Sequence, residues 1–253
     1  MKKLLYLLFI SLPSLPFSSC NKENDEPPPT TTTLNDGLLL YMPFNGNLGD
    51  SSGQANNGTG FGTLTYTSNR YFESGRSLGL NGTNTRVEIP GQKFDTLSKF
   101  TFYMEFLPAN TNSMTLLSRT LFSVVPNMKQ AFNLMINTGA GTRFQMKKAG
   151  NCDNTNTATA FGALVLGQTV PSTNGWNYVA VTYNGSTITT YINGVLAATG
   201  NEPGANLCSG APLIIGSWWE GAPAYFQGSV DEVRVYNRAL SQSEITQIFQ
   251  LHK

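Results

Sequence analysis

Apolar and polar residues alternate with a period of two along most of the chain, in short runs that glycine, asparagine, proline and serine interrupt. Successive side chains of a β-strand point to opposite faces of a sheet, so this alternation predicts many short strands. The run 100–106 is expected to be a half-buried antiparallel strand, with the phenylalanines and the methionine on one face and Thr101, Tyr103 and Glu105 on the other. The clearest runs are residues 38–44, 86–89, 100–106, 131–136, 142–146, 176–183, 187–192, 213–218 and 228–236.

Two local patterns add a turn and a helix. Residues 184–186, Asn-Gly-Ser, separate two of the runs, and glycine readily takes the positive φ of a tight hairpin turn. Near the C-terminus, Ser241 and Glu244 have the spacing of a capping box, and apolar residues follow at helical spacing. The sequence therefore predicts an all-β sandwich of antiparallel sheets with one short C-terminal helix lying on it.

The N-terminus has a different pattern. Two lysines precede an apolar stretch at residues 4–15, and two serines stand directly before Cys20. The stretch is too short to span a bilayer comfortably, so residues 1–19 are predicted to be a processed export signal. This segment resembles a bacterial lipoprotein signal peptide, which implies lipidation of Cys20. An ordinary secretory signal and an uncleaved anchor helix are the alternatives.

Residues 20–36 have the composition of a tether. Charged residues, three prolines and four threonines follow Cys20 with almost nothing to bury, which predicts an extended, hydrated spacer. The charges next to Cys20 resemble the surface-export signal of Bacteroidota lipoproteins, which implies an outer-membrane protein facing the medium. A plain solvated linker is the alternative. Residues 37–253 are then predicted to form one domain.

Charge and cysteine content narrow the function classes. The 16 basic and 15 acidic residues give a net charge of +1, and without a basic stripe nucleic acid is not expected as a partner. Besides Cys20 the chain holds Cys152 and Cys208, and an even pair in an exported protein predicts one disulfide. Two separate buried thiols are the alternative. Neither cysteine lies in a metal-binding or nucleophile pattern.

Three blocks carry a resemblance to a known family. They are GLLLYMPFNGNLGDSSGQANNGT at 37–59, WNYVAVTYNGSTITTYINGVLAAT at 176–199 and GSVDEVRVYNRALS at 228–241. These blocks are similar to the signature blocks of laminin-G-like domains in the concanavalin A-like lectin/glucanase superfamily. The resemblance covers nearly all of residues 37–249 and implies a two-sheet jelly roll. The chain departs from the family at residues 84–86 and around Cys152.

The resemblance also implies a calcium ion. Members of this family often hold calcium between the first and last strands, and the matching oxygen donors here are Asp50, Asn57 and Asp231, with backbone carbonyls. Carboxylate and amide oxygens suit this hard cation, whose role would be structural. The alternative is that Asp50 forms an Asx-turn while Asp231 pairs with Arg234 or a nearby backbone donor.

Catalysis is not expected from the carboxylates. Glucanases of the superfamily use the string Glu-x-Asp-x-x-Glu on one strand, and the chain lacks it. Asp231 and Glu232 are adjacent, so a regular strand would point them to opposite faces, and Glu105 and Glu220 stand alone. The sequence thus predicts a non-catalytic protein, with a degenerate glycoside hydrolase or lyase as the alternative.

An aromatic segment at 217–226 is the candidate binding site. Trp218 and Trp219 are neighbours in a strand, so one is expected in the core, while the other could stack on a sugar ring together with Tyr225. Glu220 could bond to sugar hydroxyls. The alternative is that all three aromatic residues pack around the sheet edge.

Taken together, these patterns predict a surface-tethered binding lipoprotein that recognises an extracellular glycan. A protein-binding adhesion or assembly module on the same fold is the main alternative, because a fold does not fix its function. Exposed aromatic residues along a groove would favour a glycan, and a broad apolar patch without them would favour a protein partner.

Overall fold

The protein is known from a computed structural model, which describes residues 33–121, 129–138, 141–147, 161–167, 171–204, 207–218 and 223–251. The first strands are β1 (Leu38–Met42), β2 (Thr59–Phe61), β3 (Thr65–Thr67), β4 (Ser77–Asn81), β5 (Arg86–Ile89), β6 (Phe100–Pro108), β7 (Met114–Leu121) and β8 (Lys129–Asn137). They are followed by β9 (Gly141–Lys147), β10 (Phe161–Gly167), β11 (Asn177–Tyr183), β12 (Thr187–Ile192), β13 (Val195–Asn201), β14 (Leu213–Ile215) and β15 (Gln227–Tyr236). A 3₁₀ turn covers Gln92–Phe94, and the helix α1 covers Gln242–Gln250.

The strands named above assemble into two antiparallel sheets. In the eight-stranded sheet the order is β13-β12-β11-β6-β15-β4-β3, and β1 also pairs with β15. In the seven-stranded sheet the order is β10-β9-β8-β7-β14-β5-β2. Many neighbours are distant in sequence, as in a jelly roll. The predicted all-β jelly roll with a short C-terminal helix is confirmed.

The core lies between the sheets, and aromatic rings from both sheets fill its middle. Phe102 of β6 packs against Phe132 of β8 with ring centroids 4.6 Å apart, and Phe132 contacts Phe144 of β9 at 5.6 Å. Phe100 continues the row at 4.6 Å from Phe102. Burying one such ring contributes about 1.5–3 kcal/mol, so this row is a main source of sheet-to-sheet adhesion.

The other face of β6 is buried as well. Thr101, Tyr103 and Glu105 alternate away from the core, yet all three are buried. The cover is α1, whose Ile245 and Ile248 pack in one cluster with Tyr103. The prediction of a half-buried strand at 100–106 is therefore wrong, because the helix adds a third layer there. The prediction that the helix lies on the sandwich is confirmed.

The predicted cap and hairpin are both present. Ser241 Oγ accepts from the Glu244 amide at 3.3 Å, and a Glu244 carboxylate oxygen accepts from the Ser241 amide at 2.8 Å. In the hairpin between β11 and β12, Gly185 has φ +106°, and Asn184 Oδ1 accepts from the Ser186 amide at 3.0 Å. These elements form where local chemistry alone decides the structure.

Other strands have too little alternation to be predicted. The strands β2, β3, β4, β7, β10 and β13 lie outside the predicted runs. The run 213–218 ends early, at Ile215, because Gly216 takes φ +84° and turns the chain away from the sheet. In the part of the chain that the structure describes, no helix has both the length and the apolar character needed to cross a membrane.

Candidate functional site

The loop that enters β15 holds Tyr225 in a fixed position. Pro223 O accepts from the Trp218 amide at 2.8 Å, and Ala224 O accepts from a β7 amide at 2.8 Å. On the other side of Tyr225, Phe226 is fully buried in the core. Tyr225 itself is only half-buried. Its backbone is therefore anchored on both sides while part of its ring faces outward.

Tyr225 lines a pocket of about 360 Å³, which we name the Tyr225 pocket. Asn110, Asn112, Ser113 and Gln227 are among its other lining residues, and none of the described lining residues is charged. Asn110 Nδ2 donates to Gln227 Oε1 at 3.0 Å, and the Asn112 amide donates to Asn110 Oδ1 at 2.9 Å. The volume is in the range of small-ligand sites. The pocket thus combines one aromatic ring with fixed, uncharged polar groups.

Two of the four predicted ligand residues fall within the described structure. Trp218 is half-buried and its backbone is bonded to the loop that carries Tyr225. Trp219 and Glu220 lie outside the described residues, so their roles stay predictions. The structure therefore connects Trp218 and Tyr225 through one loop and places Tyr225 in the pocket wall.

The Asp50 carboxylate already accepts four hydrogen bonds. Oδ1 accepts from the amides of Tyr41 at 3.0 Å and Ser52 at 2.8 Å, and Oδ2 accepts from the Ser52 hydroxyl and the Asn56 amide, both at 2.8 Å. Burial would raise the pKa of Asp50, but these bonds outweigh it and lower the pKa. An ionised carboxylate has about four acceptor positions. This arrangement fits the Asx-turn alternative.

The other two predicted calcium ligands also accept hydrogen bonds from the backbone. Asn57 Oδ1 accepts from the Asp50 amide at 2.9 Å, and Asp231 Oδ1 accepts from the Glu232 amide at 2.9 Å. Within the described ranges, no group of three or more His, Cys, Asp or Glu side chains could hold a metal ion. The hydrogen bonds on Asp50 favour the Asx-turn alternative, and calcium at Asp50, Asn57 and Asp231 stays a prediction for a measurement in solution.

Asp231 and Glu232 form a β-bulge. The register of β15 against β6 shifts between Asp231 and Arg234, and Glu232 has φ +52°. A bulge places two successive residues opposite one partner residue, so the alternation of side chains is interrupted. Glu105 lies opposite Asp231, and all three carboxyl groups line one pocket of about 170 Å³, the carboxylate pocket. The prediction that Asp231 and Glu232 point to opposite faces is wrong.

Two arginines accompany the glutamates of the carboxylate pocket. Arg70 Nε lies 3.2 Å from Glu105 Oε2, and a buried tyrosine hydroxyl donates to Glu105 Oε1 at 2.9 Å. Arg234 Nη2 donates to Glu232 Oε2 at 2.8 Å, and the Tyr41 hydroxyl donates to Glu232 Oε1 at 2.8 Å. Of the predicted partners of Asp231, the backbone donor is therefore present, while Arg234 pairs with Glu232.

Asp231 has a strongly altered acidity. Burial, and then the charge of Glu232, raise the pKa of Asp231 to about 8, so the folded protein keeps its proton at neutral pH. A protonated carboxyl beside an ionised one is the arrangement of glycoside hydrolysis. However, the pocket is smaller than typical ligand sites, and both glutamates are engaged in ion pairs. These features favour a structural role.

The cysteines are only partly described. Cys208 is fully buried and takes part in a disulfide. Its predicted partner, Cys152, lies outside the described residues, and so does Cys20. The pairing of Cys152 with Cys208 and the lipid on Cys20 therefore stay predictions.

Sequence reasoning missed the polar wall of the Tyr225 pocket. Asn110, Asn112 and Ser113 belong to a polar segment directly after a strong strand, which is typical of a loop and carries no sign of its partner. The pairing of Pro108 in β6 with Gly228 in β15 brings this segment next to Tyr225. Only the long-range register of the sheet could have indicated it.

Residues 81–246 match a laminin-G family model of the concanavalin A-like lectin/glucanases superfamily. The match runs from the end of β4 into α1. It includes the described lining of the Tyr225 pocket and the three carboxyl groups of the carboxylate pocket, but not Arg70. None of the curated proteins matches the chain.

Several solved structures resemble the fold. Domain 4 of AbnA, a GH43 extracellular arabinanase from Geobacillus stearothermophilus solved in complex with arabinotriose, has a TM-score of 0.58 at 22% identity, over 83% of this chain and 97% of that one. The binding domain of botulinum neurotoxin DC in complex with SialylT has a TM-score of 0.62 at 13% identity, over 86% and 52%. The same domain with rat synaptotagmin II gives 0.60 at 14%, over 86% and 52%. The chain thus spans about half the length of the toxin domain, and the likeness concerns the fold.

Proposed function

The chain belongs to the concanavalin A-like lectin/glucanases superfamily, and on that premise we propose that it is a non-catalytic protein that binds neutral glycans in the Tyr225 pocket. The observation that carries the proposal is an aromatic ring, fixed by its backbone, in a pocket of about 360 Å³ whose described lining is uncharged. Support comes from the complex of a protein with this fold with arabinotriose, a neutral glycan.

The pocket chemistry matches a sugar ring. The C–H face of a sugar can stack on the Tyr225 ring, and its hydroxyls can bond to the side chains of Asn112 and Gln227. One stacking contact contributes about 0.5–1.5 kcal/mol and each neutral hydrogen bond about the same. One stacking contact and two hydrogen bonds together give roughly 1.5–4.5 kcal/mol, which corresponds to a Kd of about 1 mM or weaker for a single sugar ring. A charged sugar would lose its hydration without gaining an opposite charge among the described lining residues.

Absence of catalysis is part of the proposal. The candidate acid, Asp231, lies in the carboxylate pocket, which is smaller than typical ligand sites, and the glutamates beside it are in ion pairs. We expect the full chain to release no reducing ends from a polysaccharide panel. If the wild type releases reducing ends and both Asp231→Asn and Glu105→Gln fail to do so, the protein is a hydrolase instead.

Binding is tested with the full chain on a microarray of neutral and sialylated glycans, followed by calorimetry. We expect Tyr225→Ala to weaken binding by roughly 2- to 12-fold and Tyr225→Phe to retain it, because the ring carries the stacking energy. Tyr191→Ala, which removes another half-buried tyrosine, is the matched control. Equal affinities of Tyr225→Ala and the wild type would refute the site.

A protein partner is the second candidate. Val195 and Leu196 are 67% and 53% exposed on β13, at one edge of the eight-stranded sheet. An exposed apolar edge strand is a surface on which a partner can add a strand. If Val195→Lys abolishes cell adhesion while Tyr225→Ala does not, this candidate replaces the glycan.

We also propose that Cys20 is lipidated and that residues 20–36 tether the domain to a bacterial outer membrane, facing the medium. The order of lysines, apolar stretch, serines and Cys20 supports this, together with the charged spacer. The expected result is that labelled palmitate enters the wild type but not Cys20→Ala, and that protease added to intact cells removes the domain. Protection from the protease would place it on the inner side of the membrane.

A further inference from the structure

A third pocket lies on the side of the eight-stranded sheet that carries α1, and we name it the Phe72 pocket. It has a volume of about 410 Å³, and Phe72, Leu107, Asn174, Trp176 and Phe249 are among its lining residues. Because Leu107 belongs to β6 and Phe249 to α1, the pocket is built on regular elements of the fold. Its volume is in the range of small-ligand sites.

Phe72 has an exposed side chain and a strained backbone, neither of which stabilises the fold. Its side chain is 91% exposed and its φ is +64°, a left-handed value that bulky residues rarely adopt. Asn69 fixes the turn, since its Oδ1 accepts from the amides of Tyr71 at 3.0 Å and Glu73 at 3.1 Å, and its carbonyl accepts from the Phe72 amide at 3.0 Å. Strained residues of this kind concentrate at ligand sites.

Phe72 and Trp176 are the aromatic side chains that the Phe72 pocket leaves open to a ligand. Phe72 is 91% exposed and Trp176 is half-buried, and both line the pocket. Phe249 is already in contact with the Arg70 guanidinium, 3.9 Å from its centroid, and with Tyr178, which stacks at 4.1 Å.

The charge in this pocket is already balanced. Among the described lining residues Arg70 alone is charged; its Nε lies 3.2 Å from Glu105 Oε2, and its Nη2 donates to Phe249 O. Asn174 is exposed at the rim and offers amide donors and an acceptor. Open aromatic faces and a free amide, with no uncommitted charge, match a neutral sugar ring.

The two pockets flank one short segment. Leu107 lines the Phe72 pocket and Asn110 lines the Tyr225 pocket. Leu107 and Asn110 are three positions apart in the sequence, so their Cα atoms are at most about 11 Å apart. We propose that both pockets belong to one binding surface for a linear, neutral oligosaccharide of several residues, with Tyr225 near one end and Phe72 and Trp176 near the other. This inference rests on the proposed glycan binding.

Chain-length dependence of affinity tests the inference. The full chain is titrated calorimetrically with arabino-, xylo-, cello- and malto-oligosaccharides of one to six residues. In the series that binds, we expect affinity to rise beyond the disaccharide. Phe72→Ala and Trp176→Ala should each weaken hexasaccharide binding by roughly 2- to 12-fold and leave disaccharide binding unchanged, because only the longer chain reaches from Tyr225 to Phe72 and Trp176.

Two further variants separate binding from stability. Asparagine tolerates the left-handed backbone at position 72 better than phenylalanine, so Phe72→Asn should be at least as stable as the wild type. It should still lose the extra affinity for the hexasaccharide over the disaccharide. Val195→Ala removes an exposed apolar side chain from another strand and should bind like the wild type.

The outcomes distinguish the inference from the proposed function. If Tyr225→Ala weakens hexasaccharide binding while Phe72→Ala and Trp176→Ala leave it intact, the extended surface is refuted. The proposed glycan site in the Tyr225 pocket is then retained. Affinity that stays constant beyond the disaccharide leads to the same two conclusions. Absence of binding in all four series refutes both proposals.

Discussion

Replacing Asp231 with Asn should make the protein more stable at alkaline pH. Asp231 is 5% exposed, and burial followed by the charge of Glu232 raises its pKa from 3.8 to about 8. Over this interval the folded chain keeps a proton that the unfolded chain has lost, so the stability of the wild type falls as pH rises from about 4 to about 8 and levels off above. Asn cannot ionise and can still accept from the Glu232 amide.

The structure sets the size of this effect. At about 1.36 kcal/mol per pH unit, the titration of Asp231 lowers the unfolding free energy of the wild type by up to about 4 kcal/mol between about pH 5 and pH 9. The hydrogen bonds that lower the pKa of Asp50 and Glu244 keep their titration below this window. Tyr41 has its pKa raised by burial, which places its titration above the window. Asp231 is therefore expected to dominate the pH dependence of the difference in unfolding free energy between Asp231→Asn and the wild type.

Urea denaturation, followed by tryptophan fluorescence in buffers that contain EDTA, measures the effect. The difference in unfolding free energy between Asp231→Asn and the wild type should grow by about 2–4 kcal/mol from pH 5 to pH 9. Glu73→Gln removes an exposed carboxylate from the rim of the same pocket and should show no such growth. A difference that is constant with pH would refute the placement of a protonated Asp231 in the carboxylate pocket.

Three other predictions concern stability. Ser241→Ala should lower the unfolding free energy by about 1 kcal/mol in urea denaturation, because it removes the cap of α1. Gly91→Ala should lower it by more than about 2 kcal/mol, since a Cβ there would lie 1.8 Å from the Ala211 carbonyl oxygen, whereas Gly175→Ala, with nothing within 4 Å, should have little effect. Calcium should leave the melting temperature unchanged, because hydrogen bonds fill the Asp50 oxygens. A rise in melting temperature that Asp50→Asn abolishes would support the predicted calcium site.

The sequence predicts those parts of the fold that local chemistry determines. The alternation around Phe102 marks a core strand because the pleat itself has a period of two. Ser241 and Glu244 mark the start of α1 because a cap needs only residues three apart. What alternation does not reveal is the third layer, in which α1 covers Tyr103.

The candidate sites depend on long-range register and were predicted only in part. Tyr225 stands out as an aromatic residue in a polar loop, but Asn110 reaches it only through the pairing of β6 with β15. The bulge at Glu232 changes the direction of one side chain, and residue type gives no sign of it, since a positive φ is unusual for glutamate. Phe72 likewise needs the turn made by Asn69 to become exposed.

A crystal structure of the full chain with the tightest-binding oligosaccharide from the microarray would show whether a neutral sugar ring binds on Tyr225. We expect a sugar ring stacked on Tyr225, with hydroxyls bonded to Asn112 or Gln227. A sugar bound elsewhere, with the Tyr225 pocket open to solvent, would contradict this expectation.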